Sequence, residues 1–349
     1  MWLGKFVITH KGQRVVVLDA RQTRQMSVGM KTYTRELSAR LPAVAPDLRF
    51  VAIERGANFG IEEQVRLPWR IRATRPDATH FMSVYAPFFA PRPYLVTIHD
   101  LIHLRFPAFF KSKVLPYYRG VVRHVARRAA RVITDDERTV DDLKDLLGVQ
   151  PARVRVIALG VGDIYLREHE PYRAQRPYFL YVGNHRPHKN LGTLFAAWRA
   201  LAPQVEADLY ITGDDDLGIS QTAREGGVVR FLGEVSDVKL ASLYRGAMAL
   251  VQPSLCEGFG LPMLEAMAVG CCVIGSRSAC PAVLADAALC FSADDAPELT
   301  AFMQRVFRDE GLRGRLVNEG RRIAKSLTWE RCARATAAVY REVLEEPPC

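Results

Sequence analysis

The sequence has no long uninterrupted apolar stretch and no low-complexity tract. Its apolar runs stay well short of the roughly 20 residues with which a helix crosses a bilayer, which argues against a membrane-spanning protein. The N-terminal MWLGKFVITHKGQ is too short and too polar for a signal peptide. The seven cysteines lack the spacing of a metal site or a disulfide framework, so reduced thiols are the simplest interpretation. We therefore expect a cytoplasmic protein.

Positive charge is concentrated in the first half of the chain. Residues 1–160 carry 27 Lys and Arg against 14 Asp and Glu, a balance of +13, whereas the remainder carries 21 against 24, a balance of −3. Such an imbalance indicates an anionic partner for the first half: acidic lipid, a phosphorylated acceptor or nucleic acid. Nucleic acid is disfavoured because the basic segment lacks interleaved stacking aromatics and no binding motif occurs.

The 349 residues suggest two domains. Two series of short apolar runs alternate with helical segments, which predicts parallel sheets with right-handed crossovers. The polar, aperiodic residues 164–176 read as a linker between the series. We therefore predict an α/β fold in which two Rossmann-like domains, residues 1–163 and 177–326, face each other across a cleft. The strands are predicted at residues 14–19, 48–53, 79–83, 94–98, 131–134 and 154–159, then at 178–182, 208–212, 228–232, 247–251, 271–274 and 288–291.

Residues 251–275, VQPSLCEGFGLPMLEAMAVGCCVIG, are the most informative stretch. An apolar strand breaks at a glycine-bearing loop, a helix begins near Pro262, and Gly270 ends it before another apolar strand. Proline is tolerated at a helix start because its missing N–H would be unpaired there. The free N–H groups and the dipole of such a helix terminus bind anions, phosphate above all.

Two carboxylates, Glu257 in the loop and Glu265 in the predicted first turn, flank that terminus. Phosphate would repel both, but carboxylates accept paired hydrogen bonds from sugar hydroxyls. A diphosphate at the helix terminus with a sugar on either side is the chemistry of a nucleotide sugar. We expect Glu257 to lie toward the transferred hexose and Glu265 toward the ribose.

The segment PSLCEGFGLPMLEAMAVG, with its Glu257-x7-Glu265 spacing, resembles the signature of retaining glycosyltransferases of family 4, which have the GT-B fold. The resemblance covers nearly the whole chain and is dense from about residue 178 to 291. It implies that the second domain binds a nucleotide sugar and that the acceptor docks on the first domain. The implied donor-binding residues in this loop are Gly258, Phe259, Gly260 and Leu261.

Two positions of the first domain match functional positions of the family. Gly29 follows the first strand, at a strand-to-helix turn where a ligand can approach the backbone. The resemblance implies that this glycine contacts the donor phosphates; a plain turn glycine is the alternative. His99, in VTIHDL, ends a predicted strand, where ligands of open α/β sheets bind. The resemblance implies that His99 contacts the donor hexose, which needs no titration of the imidazole.

The loop GNHRPHKN follows the first strand of the second domain and carries two cations, Arg186 and Lys189. Cations at a strand end can neutralise a diphosphate leaving group. The resembled family has an arginine and a lysine in this loop, which makes Lys189 the lysine and Arg186 the assigned arginine, with His188 as the alternative. Ser236 precedes a predicted helix in the segment GEVSD, which resembles the family loop that frames the nucleotide base. A plain helix cap is the alternative interpretation of Ser236.

Two helices have predicted roles outside the cleft. Thr328 caps a long amphipathic helix, and the resemblance implies that residues 327–349 return to the first domain. A basic helix is predicted after Pro116, with Arg119, Arg123, Arg127 and Arg131 recurring every four residues on one face. That face is either solvated or lies against anionic lipid headgroups. The membrane interpretation places the protein at the inner face of the cytoplasmic membrane.

The pattern as a whole predicts a retaining glycosyltransferase that moves a hexose from a nucleotide sugar to a glycan or lipid-linked acceptor in polysaccharide biosynthesis. GDP-mannose is the favoured donor because VTIHDL and HKNL are similar to bacterial mannosyl- and rhamnosyltransferases. No nucleophile stands out, and no metal is expected because fixed cations and the helix terminus can take the diphosphate charge. A nucleotide-sugar epimerase and a non-catalytic sugar-nucleotide binding protein are the alternatives.

Overall fold

The computed structural model describes residues 12–110, 114–216, 218 and 227–346. Most of the N-terminal segment MWLGKFVITHKGQ, which the sequence predicts not to be a signal peptide, lies outside these residues. Within them the chain forms two six-stranded sheets. The first comprises β1 (Arg14–Asp19), β2 (Leu48–Ile53), β3 (Ala78–Phe81), β4 (Tyr94–Thr97), β5 (Arg131–Thr134) and β6 (Val154–Val156), and the second comprises β7 (Tyr178–Tyr181), β8 (Asp208–Ile211), β9 (Val229–Phe231), β10 (Ala249–Gln252), β11 (Val273–Ser276) and β12 (Ala288–Phe291).

Both sheets have the topology of doubly wound α/β domains. The strand orders are β2-β1-β3-β4-β5-β6 and β12-β11-β10-β7-β8-β9, and all neighbouring strands are parallel. Each of the twelve predicted strands is present. Several differ by one to three residues at their ends: β11 begins at Val273 rather than at Cys271, and β6 ends at Val156 rather than at Leu159. The predicted α/β fold with two Rossmann-like domains is confirmed.

Helices cover the sheets. They are α1 (Val28–Val44), α2 (Leu67–Ala73), α3 (Ile102–Arg105), α4 (Val114–Tyr117), α5 (Arg123–Arg128), α6 (Arg138–Asp142), α7 (Leu191–Leu201), α8 (Asp237–Gly246), α9 (Leu261–Val269), α10 (Ala296–Arg308), α11 (Glu310–Ser326) and α12 (Trp329–Glu345). Short π-helical turns precede α2, join α4 to α5 and follow α6. In the part of the chain that the structure describes, none of the helices is both long and apolar enough to traverse a bilayer.

The predicted basic helix differs from the structure at both ends. The chain is already helical at Val114, before Pro116, and the helix stops at Arg128, after which Ala129 is extended. Arg131 lies in β5, where its guanidinium donates to Glu342 Oε1 at 2.7 Å. It therefore does not belong to the helix face. The remaining arginines of the predicted face, Arg119, Arg123 and Arg127, are all exposed.

Helix α12 returns to the first domain and packs on α1 and β3. The predicted cap is confirmed, because the Thr328 hydroxyl accepts a hydrogen bond from the Arg331 N–H at 3.1 Å. The buried His80 Nδ1 lies 2.7 Å from Tyr340 Oη, and Trp329 is 1% exposed. This helix is thus part of the core beneath the first sheet.

The two chain segments that cross between the domains lie side by side. Val161 pairs with Thr328 in a parallel bridge, and the Val161 N–H donates to the carbonyl of Leu327 at 2.9 Å. A Cβ atom on Gly160 would come within 2.0 Å of the Trp329 backbone nitrogen. A glycine at this position therefore allows the two segments to touch. Residues 167–177, which follow the first crossing, form neither helix nor strand.

Candidate active site

The N-terminus of α9 faces the cleft between the two domains. Strand β10 ends at Gln252, and residues 253–260 lead to the helix. Gly260 adopts the left-handed conformation with φ = 73°, and no side chain caps the helix. The helix begins one residue earlier than predicted, so Pro262 is its second residue and Glu265 lies beyond the first turn. The terminus thus keeps the anion-binding character that the sequence predicts.

Glu257 is held in the loop by three donors. Lys189 Nζ and Ser254 Oγ each donate to Glu257 Oε1 at 2.6 Å, and Gln252 Nε2 donates to the same oxygen at 3.3 Å. Burial alone would raise the pKa of Glu257, but Lys189 and the two neutral donors outweigh burial and lower it. Glu257 therefore remains a carboxylate at neutral pH, although its side chain is only 11% exposed.

The loop after β7 brings its cations to the same place. Lys189 ends a short 3-10 turn that is followed by Asn190 in the left-handed conformation. The Arg186 side chain is exposed, whereas His188 is buried against the Phe110 ring. Burial and the adjacent Lys189 lower the pKa of His188 to about 4, so its imidazole is neutral at pH 7. Lys189 and Arg186 therefore supply fixed positive charge in this loop.

The first domain contributes His99, two residues after β4. Its Nδ1 lies 2.5 Å from Asp135 Oδ2, and its ring packs edge-on against Tyr33 with 4.7 Å between ring centroids. Burial disfavours the charged imidazole, but the Asp135 carboxylate outweighs this effect and raises the pKa of His99. The Met82 backbone lies close enough to the ring to raise this pKa further, although within the described residues no hydrogen bond of good geometry reaches the buried Nε2. Asp135 therefore stabilises the charged form of the His99 imidazole. That His99 contacts the hexose without a change in its protonation stays a prediction.

Residues from both domains meet across the cleft. A Cβ atom on Gly258 would lie 2.9 Å from the carbonyl oxygen of His99, so a glycine allows the α9 loop to approach β4. Gly29, in the first turn of α1, faces Leu261, and a Cβ atom there would lie 3.7 Å from Leu261 Cδ1. Gly258 and Gly29 thus lie where the two domains meet.

Three further predicted residues have structural partners. The Phe259 side chain is 3% exposed and packs in the core, so only its backbone can face a ligand. Ser236 caps α8 by accepting a hydrogen bond from the Lys239 N–H at 3.4 Å. Its predicted contact with the nucleotide base stays a prediction. The Tyr244 hydroxyl donates to Glu265 Oε2 at 3.3 Å.

Burial raises the pKa of Glu265 from its ordinary value of 4.5 to about 7. The Tyr244 hydrogen bond opposes this shift only in part. Folding therefore favours the protonated form of Glu265. Protonation of this residue contributes fully to the free energy of unfolding below about pH 4.5, and the contribution is lost as the pH rises through 7. The ligand-free protein thus keeps Glu265 partly protonated near neutral pH.

We expect Glu265→Gln to remove this dependence. Without nucleotide, its melting temperature should match that of the parent at pH 5 and exceed it at pH 8, where the parent must ionise the buried acid. Thermal denaturation at both pH values measures the effect, with Glu206→Gln at an exposed position as the control. A variant that is less stable than the parent at pH 8 would contradict the assignment.

Sequence reasoning missed the residues that hold the site together. Asp135, which orients His99, is 36 positions away in the chain. Ser254 and Gln252 lie within the motif itself, but nothing in the pattern tells that their side chains turn toward Glu257. The run Asp135-Asp136 at the end of β5 was an available signal, since polar residues at carboxyl ends of parallel strands meet at one edge.

Comparisons with known proteins agree with this architecture. A family model described as "Glycosyltransferase Family 4" matches residues 20–163, and one described as "Glycosyl transferases group 1" matches residues 176–309. The chain is 27% identical over 295 residues to the O-antigen chain mannosyltransferase B of Escherichia coli, covering 79% of this chain and 77% of that protein. It is 30% identical over 187 residues to the O-antigen chain mannosyltransferase RfbU of Salmonella typhimurium, about half of each chain.

The fold has close structural counterparts as well. The crystal structure of Anabaena Alr3699/HepE in complex with UDP and glucose superposes with a TM-score of 0.71 at 16% identity, covering 95% of this chain and 100% of that one. The two family models together span both domains and the cleft residues between them. The chain belongs to the family 4 glycosyltransferases and has the GT-B fold.

Proposed function

We propose that the protein transfers mannose from GDP-mannose to a glycan or lipid-linked acceptor in polysaccharide biosynthesis, with retention of the anomeric configuration. The observation that carries the proposal is the Lys189–Glu257 pair beside the uncapped N-terminus of α9, opposite His99. The choice of mannose is supported by the mannosyltransferases of Escherichia coli and Salmonella typhimurium to which the chain is similar. The retaining outcome follows the family resemblance.

The positive groups of the second domain suit a diphosphate leaving group. Lys189, Arg186 and the N–H groups at the start of α9 lie on one side of the cleft. Preorganised donors of this kind stabilise the charge that develops on a leaving group without reorganising during the reaction. We propose that they do so without a metal ion. Transfer that persists in the presence of EDTA would support this part of the proposal, and transfer restored only by a divalent cation would refute it.

Glu257 and His99 suit the transferred hexose. Glu257 keeps its negative charge and can stabilise positive charge at the anomeric carbon. His99 faces the Glu257 loop from the first domain, and its imidazole can bond a sugar hydroxyl. In the proposed front-face displacement, the bond from the anomeric carbon to the phosphate oxygen breaks as the bond to the acceptor oxygen forms. The departing phosphate takes the acceptor's proton.

The test is a panel of GDP-, UDP-, dTDP- and ADP-sugars. A donor that binds only the native state raises its melting temperature, so a thermal-shift screen identifies the base and hexose. Release of nucleoside diphosphate in the presence of glycan acceptors then separates a transferase from the alternatives. An epimerase would convert the sugar without releasing the diphosphate, and a non-catalytic binding protein would show a thermal shift without turnover.

We also propose that the protein associates peripherally with the inner face of the cytoplasmic membrane. Supporting this, Arg119, Arg123 and Arg127 are exposed along α5 and the turn before it, in the basic half of the chain. Each basic residue near an anionic surface contributes on the order of 1 kcal/mol. Replacing all three by glutamine should therefore reduce sedimentation with acidic vesicles at low salt while leaving nucleotide binding unchanged. Equal sedimentation of parent and variant would show that these arginines face solvent and do not bind lipid.

A further inference from the structure

Four of the large apolar side chains that the first domain exposes lie on the segment from residue 61 to 69 and on the nearby loop that carries Phe89. Ile61 is 71%, Val65 61%, Trp69 70% and Phe89 74% exposed. Ile61 directly precedes the π-helical turn before α2, Val65 lies in that turn and Trp69 lies in α2. All three have helical backbone and are spaced by four residues, so they lie on one side of this segment. Soluble monomers rarely gather such side chains without a binding role. We call these four residues the apolar ridge.

The loop that carries Phe89 links the ridge to α5. The Phe88 N–H donates to Gln64 Oε1 at 2.8 Å, which ties the loop to the helical segment that bears the ridge. On its other side, the Phe88 ring stacks on His124 of α5 with 3.7 Å between centroids and 13° between planes. The apolar ridge is therefore continuous with the basic surface of α5.

A cavity of about 260 Å³ lies at this junction. Arg72, Arg92 and Arg128 line it together with Phe88, Phe89 and His124, and no carboxylate is among its lining residues. Arg92 Nη2 donates to the carbonyl of Arg128 at 3.1 Å, which holds two of the cations together. Burial first, and then Arg128 and Arg92, lower the pKa of His124, as expected where cations converge.

The cavity is separate from the candidate active site. Tyr94, which also lines it, is the first residue of β4, whereas His99 follows the last residue of the same strand. The cavity thus opens at the amino edge of the sheet, and the cleft lies at the carboxyl edge. A ligand in the cavity has no contact with the reacting groups.

We propose that this cavity binds the phosphate-bearing headgroup of an anionic phospholipid while Trp69 and Phe89 enter the bilayer interface. Guanidinium groups bond phosphate oxygens in pairs, and three of them here lack a carboxylate in the cavity. Tryptophan and other aromatic rings favour the headgroup level of a membrane. The inference rests on the membrane association proposed above and adds a specific site to it.

The experiment compares sedimentation of the full chain with vesicles of phosphatidylcholine alone and of phosphatidylcholine with phosphatidylglycerol. One variant, Arg92→Gln/Arg128→Gln, removes charge from the cavity, and another, Trp69→Ser/Phe89→Ser, removes the ridge anchors. The matched controls are Arg199→Gln/Arg305→Gln and Val238→Ser, exposed positions of the second domain. We expect each test variant to bind phosphatidylglycerol vesicles at least about tenfold more weakly, and the controls to bind as the parent does.

Tryptophan emission gives an independent measurement. Trp198 and Trp329 are buried, so Trp69 reports the surface once Trp2→Phe has removed the tryptophan outside the described residues. Its emission should shift to the blue with phosphatidylglycerol vesicles and be quenched by brominated lipid. An unshifted emission with bound vesicles would overturn the insertion of Trp69.

Two other results would overturn the proposal. Calorimetric binding of inorganic phosphate that is lost in the Arg92→Gln/Arg128→Gln variant, without vesicle binding by the parent, would make the cavity a site for a free anion. Self-association that is lost in the Trp69→Ser/Phe89→Ser variant, again without vesicle binding, would make the ridge a contact with a second copy. Nucleoside diphosphate release in solution is measured alongside, because its absence would count against the transferase and not against the lipid site.

Discussion

Replacing Lys189 by alanine should lower turnover by about two orders of magnitude, because a preorganised group at a leaving charge is typically worth about 3 kcal/mol of barrier. The same change removes the cation paired with Glu257 at 2.6 Å. It should therefore also lower the melting temperature, since a buried carboxylate loses its charged partner. Steady-state rates and thermal denaturation of the same preparations measure the two effects.

A double variant separates catalysis from folding. Lys189→Ala/Glu257→Gln removes both charges of the pair, so it should regain much of the melting temperature while turnover stays low. Arg186→Ala is the control, because it removes an exposed positive charge from the same loop and leaves the Lys189–Glu257 ion pair intact. Turnover of Lys189→Ala within about twofold of the parent would show that Lys189 does not serve the leaving group.

Substitution of the two glutamates should affect different steps, turnover for Glu257 and nucleotide binding for Glu265. Glu257→Gln keeps the shape but loses the charge beside the hexose, so it should depress turnover and bind free nucleoside diphosphate almost normally. Glu265→Gln should weaken diphosphate binding, because a charged hydrogen bond to the ribose is worth about 1.5 to 3 kcal/mol. Calorimetry with the free diphosphate, beside steady-state rates with the full donor, distinguishes the two.

The pH dependence sharpens this comparison. With a pKa of about 7, Glu265 gains its charge between pH 6 and pH 8 in the free protein. Diphosphate affinity of the parent should therefore rise over that range, and the affinity of Glu265→Gln should rise less. If Glu257→Gln loses diphosphate affinity while Glu265→Gln keeps it, the two carboxylates serve the opposite sugars.

The strands could be predicted from the sequence because both faces of a parallel sheet are covered. Such strands are short runs of apolar residues, as in β1 with its sequence RVVVLD. The α9 loop was predictable for a different reason: Gly260, Pro262 and Gly270 each fit a backbone requirement of a helix end. Residues close together in the sequence were therefore enough to predict the strands of both sheets and the anion-binding N-terminus of α9.

Long-range pairing could not be predicted in the same way. Lys189 and Glu257 are 68 positions apart, and Arg131 and Glu342 are 211 apart. The four-residue repeat placed Arg131 on the basic face, although the same residue begins the strand predicted at residues 131–134. The strand prediction is the correct one, because the chain is already extended at Ala129. Its carboxylate partner arrives only with α12. Pairings of this kind depend on how the completed domains pack.

Helix α12 has a consequence for how the protein is made. Domains commonly fold in the order in which the ribosome synthesises them. Here the second sheet lies within a continuous stretch from β7 to β12, whereas the first domain packs against the seventeen residues of α12, which follow that stretch in the chain. The domain translated first is therefore the one completed last, and a nascent chain that stalls before residue 329 exposes the apolar surface that Trp329 and Tyr340 cover.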